Sequence, residues 1–253
     1  GNRGAAISLL RTRDTRVENN DISGQKCSSR IGITQKDEIG IHIGGRFPMP
    51  DNPDLRAYVA NNTIHDFDPP ENCGLGRATM VGIWADVDVD NGIAEYNRVY
   101  NIGRDDDLKN GFNAQGIGIM IELQCDNWIV RNNTIYNTGS DGIRNGNDLS
   151  GTGAANNGDA VNNQYLNNTV YRGGVQGINV RNGANVTVKN NIVSGSSVSQ
   201  ITVHSLAVQD GGQTINYNLY WDTTGGNKVG RWNDFTNRNF ASWKSVCSGC
   251  DTN

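Results

Sequence analysis

Asp86, Asp88 and Asp90 alternate along one stretch of this sequence, and Glu122 takes the place of Asp86 in a second stretch of the same pattern. Clustered carboxylate oxygens are what a hard cation requires, which makes Asp86, Asp88 and Glu122 the candidate ligands of a calcium ion. Arg181 and His204 occupy the equivalent place in later stretches, and Arg144 stands two positions earlier in its own. A guanidinium beside a bound cation can grip an anionic group of a ligand or take a proton from it, and an imidazole can share that work. Arg144, Arg181 and His204 are therefore the candidate catalytic residues. His42, Trp84 and Asn179, aligned with Arg144, are candidate substrate contacts, the indole offering an aromatic face. A second acidic run, Arg104-Asp105-Asp106-Asp107-Leu108-Lys109, either binds calcium or is a solvated loop. His42, His65 and His204 are too widely separated to form a zinc site.

These equivalences come from internal repetition. The phrase apolar-x-Asn-Asn-polar-apolar occurs at Val17–Ile22, Val59–Ile64, Val130–Ile135, Tyr165–Val170 and Val188–Val193, with weaker copies at Ala94–Val99 and Ile215–Tyr220. A second phrase, Gly-Ile followed by alternating residues, stands at Gly40-Ile41, Gly82-Ile83, Gly118-Ile119, Gly142-Ile143 and Gly177-Ile178, with Gln200-Ile201 as a variant. Alternation with period two predicts short strands with one side chain in and its neighbours out. The unequal spacing predicts a basic coil lengthened by insertions at Arg46–Leu55, Asp66–Thr79, Arg104–Gln115 and Asn147–Asn157, all rich in Gly, Asn, Asp or Pro. Asn tolerates left-handed backbone angles at a sharp bend, and its amide can bond the Asn one coil away. The expected fold is all-β: a single-stranded right-handed parallel β-helix of about seven coils, with an Asn ladder and aliphatic columns inside. One domain spans 1–253, its coils from about 5 to 222 and a C-terminal cap over 223–253. In that cap Phe240, Trp243 and Val246 recur at helical spacing, which suits a short amphipathic helix. No such helix precedes the first Asn phrase, so the opening coil is expected to be bare, as in a piece of a longer helix or one that packs end to end on a partner.

Composition supports this reading and narrows the partners. The 253 residues include 32 Gly and 36 Asn, both poor helix formers, with 36% hydrophobic residues. A net charge of −4 gives no basic footprint for nucleic acid, and no apolar run approaches the length of a membrane span. Cys247 and Cys250 are expected to form a structural disulfide, Cys27 and Cys73 to lie in loops where they could pair, and Cys125 to be a buried thiol; an oxidising, secreted setting follows. Asn61, Asn132, Asn167 and Asn185 head Asn-x-Thr sequons, of which the first three are expected to be taken up in the ladder.

Through phrases such as Asn132-Asn133-Thr134-Ile135-Tyr136-Asn137 and Ser140-Asp141-Gly142-Ile143, the sequence resembles the pectate-lyase-like superfamily of right-handed β-helix proteins, over about Val17 to Tyr220. The resemblance implies a secreted bacterial protein acting on an extracellular, in part uronate-containing, polysaccharide as a lyase or hydrolase. It leaves open a non-catalytic glycan-binding, adhesin, tailspike-like or structural role. The Asn-Thr-Asp and Gly-His-Gly phrases of polygalacturonases and the Tyr-Gly-Phe-Asp-Pro-His phrase of alginate epimerases are absent. Chondroitinase-B-like lyases resemble the Asp86/Glu122 arrangement in placing acidic calcium ligands and a basic residue on successive coils, yet no Lys follows the acidic strand at Glu122.

Overall fold

The structure, a computed structural model, describes residues 3–24, 35–44, 56–67, 77–103, 115–146, 160–223, 228–234, 236–247 and 250–251. Among them the strands form three parallel sheets, each coil contributing one strand to each sheet in turn. Sheet A contains β1 (Arg3–Leu10), β4 (Gln35–Gly44), β7 (Arg77–Asp86), β10 (Gln115–Ile121), β13 (Asp141–Asn145), β16 (Gln176–Val180), β19 (Ser199–Val203) and β22 (Gly230–Trp232). Sheet B contains β2 (Thr15–Glu18), β5 (Ala57–Ala60), β8 (Ile93–Glu95), β11 (Ile129–Arg131), β14 (Gln164–Leu166), β17 (Thr187–Lys189) and β20 (Thr214–Asn216). Sheet C contains β3 (Asp21–Ser23), β6 (Thr63–Phe67), β9 (Arg98–Ile102), β12 (Thr134–Thr138), β15 (Thr169–Tyr171), β18 (Ile192–Ser194) and β21 (Leu219–Trp221). This is a right-handed parallel β-helix of seven coils, with β22 opening an eighth. The arms of the predicted insertions are strand: Asp66 and Phe67 end β6, Arg77–Thr79 begin β7 and Gln115 begins β10. The Arg104–Lys109 run, Cys27 and Cys73 lie outside the described residues.

Each repeated phrase supplies a known part of the interior. Its first apolar residue enters sheet B, where Val17, Val59, Ala94, Val130, Tyr165, Val188 and Ile215 stack in register. Its last enters sheet C as the column Ile22, Ile64, Val99, Ile135, Val170, Val193 and Tyr220. The Ile of the second phrase builds the third column in sheet A, Ile41, Ile83, Ile119, Ile143, Ile178 and Ile201. Most of these side chains are fully buried, each worth about 1.5–3 kcal/mol relative to exposure. Glycine precedes the Ile because successive coils close on one another there. A Cβ at Gly82 would stand 2.6 Å from the Gly118 carbonyl oxygen, and one at Gly118 2.5 Å from that of Gly142.

The two Asn of the first phrase divide the work that one was expected to do. The first takes the left-handed backbone: Asn19, Asn61, Asn132, Asn167 and Asn190 have φ of 59°, 55°, 55°, 55° and 57°. The second forms the ladder, Asn20–Asn62–Asn97–Asn133–Asn168–Asn191–Asn218, in which each Nδ2 donates to the next Oδ1 at 2.9–3.1 Å. The sequon residues Asn61, Asn132 and Asn167 are thus beside the ladder, not in it; Asn61 and Asn167 are exposed.

At the C-terminal end, α2 (Phe240–Val246) follows β22, with Asn239 as its N-cap accepting from the Ser242 backbone N–H at 2.9 Å. Of its three periodic apolar residues only Trp243 docks; it is fully buried and meets Trp232 edge-on at 5.9 Å. Phe240 and Val246 are exposed, which corrects the expected apolar stripe. Cys247 and Cys250 are bonded, and Cys125 is a buried thiol. Next to that bridge, Asp251 stands where an eighth ladder Asn would be: its Oδ1 accepts from the Asn218 backbone N–H at 3.0 Å, and its Oδ2 from the Tyr220 hydroxyl at 3.0 Å and Trp243 Nε1 at 3.1 Å. A short helix that the sequence reading did not identify, α1 (Ser205–Asp210), fills the turn after β19 and buries Ala207.

Candidate functional site

Register places the candidate residues on the outer face of sheet A as three columns. The middle column runs Ser8, His42, Trp84, Met120, Arg144, Asn179, Thr202 and Arg231. A second column lies one step past most strand ends, where the ladder continues: Arg181 N–H donates to the Asn145 carbonyl and His204 N–H to that of Val180, both at 2.9 Å, and Glu122 N–H to that of Ala85 at 3.1 Å. The third, two residues before each repeated Ile, is Ile39, Val81, Ile117, Asp141, Gln176 and Ser199. The outer face therefore changes character along the solenoid. From β4 to β10 it carries Ile39, Val81, Trp84, Ile117 and Met120 packed as a buried apolar cluster, with His42, Asp86 and Glu122 beside it. From β13 onward it is polar.

This division separates the candidate residues. Trp84 is only 4% exposed and belongs to the apolar cluster, so it is not the open stacking platform expected of it. His42 sits against it at 5.4 Å between ring centroids, and its Nε2 pairs with Asp86 Oδ2 at 3.2 Å, both side chains buried. The expected alternation of Asp86, Asp88 and Asp90 on one face does not exist. β7 ends at Asp86, and Val87 and Asp88 both take left-handed backbone, φ 61° and 56°, turning the chain away. Asp90 instead receives the Asp126 backbone N–H at 2.9 Å. Among the described residues no three His, Cys, Asp or Glu side chains are close enough together to hold a metal ion, so Asp86, Asp88 and Glu122 do not form the expected ligand set.

Arg144, Asn179, Arg181 and His204 do come together, on three consecutive strands. Two of them are tied together by Asp141, a residue the column reading missed. Its Oδ2 accepts from Arg144 Nε at 2.5 Å and from Asn179 Nδ2, on the next coil, at 3.0 Å. It was legible in principle: a Cβ at Gly142 would meet the buried Val170, so Gly142 and Ile143 both face inward and the residues on either side of them, Asp141 and Arg144, face outward. Arg144 and Asn179 are held almost wholly buried, and Asn179 Oδ1 has no hydrogen-bond partner among the described residues. Ser199 and Thr202 bond to each other at 2.6 Å on the following strand.

Arg181 and His204 are partly exposed at the rim of this cluster. Burial lowers the proton affinity of Arg181, and the positive charge of Arg144 lowers it further, against the opposing pull of Asp141 and Glu122, bringing its pKa down to about 10. Burial, then the cationic Arg181, bring His204 down to about 4. The arrangement thus offers a fixed carboxylate–guanidinium pair, a guanidinium that gives up its proton more easily than usual, and an imidazole uncharged at neutral pH.

No protein-family model matches the chain, and no curated sequence matches it. Among solved structures it is similar in fold to the periplasmic alginate epimerase AlgG, with TM-score 0.46 and 16% identity over 90% of this chain and 47% of that one. A single-residue mutant of that enzyme gives TM-score 0.49 at the same identity and coverage. The chain spans about half the length of these structures. No helix among the described residues is long and apolar enough to cross a membrane.

Proposed function

We propose that the protein is a carbohydrate-active β-helix of an extracytoplasmic compartment that acts on an acidic polysaccharide along the C-terminal half of the outer face of sheet A. The observation carrying this reading is Arg181, partly exposed and with a lowered pKa of about 10, beside the buried Asp141–Arg144–Asn179 group. A base of that strength suits removal of the weakly acidic proton next to a uronate carboxyl. In β-elimination the electron pair so released forms a double bond as the glycosidic oxygen leaves, and the protonated Arg181 returns its proton to that oxygen. His204, partly exposed and uncharged, hydrogen-bonds the sugar. Arg144, tied to Asp141, acts as a positioning residue: its fixed charge adds to burial in lowering the proton affinity of Arg181. The Cys247–Cys250 bridge supports an oxidising location.

The test is incubation with alginate, polygalacturonate and chondroitin sulfate, following the ultraviolet absorbance of the unsaturated product. Expected is product from one of them, a rate rising about tenfold per pH unit toward pH 10, and loss of at least about 100-fold in Arg181→Ala, the size of a general-base contribution. No product from any polymer, or unchanged cleavage by Arg181→Ala, sinks the lyase reading. The burial of Arg144 and Asn179 favours a second reading, a non-catalytic glycan-binding face; saturable binding of one polymer without product would select it.

A further inference from the structure

Another feature lies on sheet C, away from the outer columns of sheet A. Between β21 and the start of α2 there is an open cleft of about 540 Å³, lined by Tyr220, Trp221, Asp222, Asn239 and Phe240 among others. Its two aromatic walls are unusually open for large apolar side chains, Trp221 at 68% exposure and Phe240 at 45%. Both orientations have structural causes. Trp221 continues the outer face of sheet C, in register with Ser194 and Tyr171. Phe240 is turned outward because α2 docks through Trp243. The cleft also carries polar groups. Asp222 Oδ2 accepts the Lys228 backbone N–H at 2.9 Å. Asn239 Oδ1 is held by Ser242, while its Nδ2 makes no hydrogen bond among the described residues.

We propose that this cleft is a second glycan-binding site, for a neutral pyranose unit of a polysaccharide. A pyranose has an apolar C–H face that covers an indole and a rim of hydroxyls that pair with a carboxylate and an amide, the combination that Trp221, Asp222 and Asn239 present. The volume falls within the roughly 300–1,000 Å³ of small-molecule sites. A wholly apolar ligand would strip water from Asp222 without replacing its hydrogen bonds. A uronate would face the Asp222 carboxylate, so the ligand differs in charge from the one proposed for sheet A, and the two readings stand or fall separately.

The experiment titrates the full chain with cellohexaose, xylohexaose and mannohexaose, reading tryptophan emission and calorimetric heat. Expected is saturable binding of one of them, weakened at least tenfold in Trp221→Ala, weakened in Phe240→Ala and unaltered in Arg181→Ala. Trp221 is exposed enough that its replacement leaves the fold standing, which a melting curve verifies. The proposal is overturned if no oligosaccharide gives a saturable response or if Trp221→Ala responds like the parent. It is equally overturned if sedimentation shows a dimer that Trp221→Ala dissociates, since the cleft would then seat a second copy.

Discussion

At the level of single residues, the repeat tolerates exceptions at a measurable cost. Five coils place Asn at the left-handed corner between sheets B and C, but two place a tyrosine there, Tyr96 at φ 55° and Tyr217 at φ 58°. Left-handed backbone costs a bulky L-residue about 1–2 kcal/mol and Asn much less. Tyr96 is 58% exposed and gives up little packing when replaced. Tyr96→Asn is therefore expected to stabilise the protein by about 1 kcal/mol, seen as a melting temperature higher by about 2–4 °C. His204 sets a pH dependence of definite sign. Its folded pKa of about 4 lies below the ordinary histidine value of 6.5, so the unfolded chain binds the proton first as pH falls. The stability it confers is complete above about pH 6.5 and is lost down to about pH 4. Denaturant midpoints of the parent and His204→Asn should converge across that window; a constant gap would contradict the assignment.

Elements show where a solenoid must depart from its own rule. In the middle coils each ladder amide has another above it, and the sequence displays this openly as Asn-Asn. At the end no further coil offers that acceptor, and Asp251 supplies it from beyond α2. Removing it strands the Asn218 N–H, the Tyr220 hydroxyl and Trp243 Nε1 together. Each donor left unsatisfied in a buried setting costs about 1–3 kcal/mol. Asp251→Ala is thus expected to lower the melting temperature far more than Asp234→Ala, whose carboxylate is half exposed and bonds Arg238 at the surface. Equal effects in a thermal melt would mean that Asp251 does not seal the ladder.

For the molecule as a whole, the architecture was legible because parallel stacking repeats the same physical demand in each coil. Val59, Asn62 and Ile64 each answer one demand, and Val130, Asn133 and Ile135 answer it again 71 residues on. The site was only partly legible. Register along sheet A followed from the Gly-Ile phrase, so Arg144, Asn179, Arg181 and His204 were placed on one face. Burial did not follow from it: Trp84 and His42 alternate outward like Asn179, yet they end in an apolar cluster and a buried contact with Asp86. The acidic triplet failed for a backbone reason, the left-handed pair Val87–Asp88, which no alternation of residue types announces. Asp141 was overlooked because Gly142 breaks the period by facing inward with Ile143.

The amide ladder has a direction. One side-chain N–H of each amide points to the Oδ1 of its C-terminal neighbour, while from Asn62 on the other returns to a backbone carbonyl of the preceding coil, so the amide-to-amide bonds all run one way. A carboxyl group, unlike an amide, carries no N–H to hand on, and Asp251 therefore receives the last bond of the series beside α2. The one-way series thus converges on a single acceptor that the Tyr220 hydroxyl and the Trp243 indole hold in place.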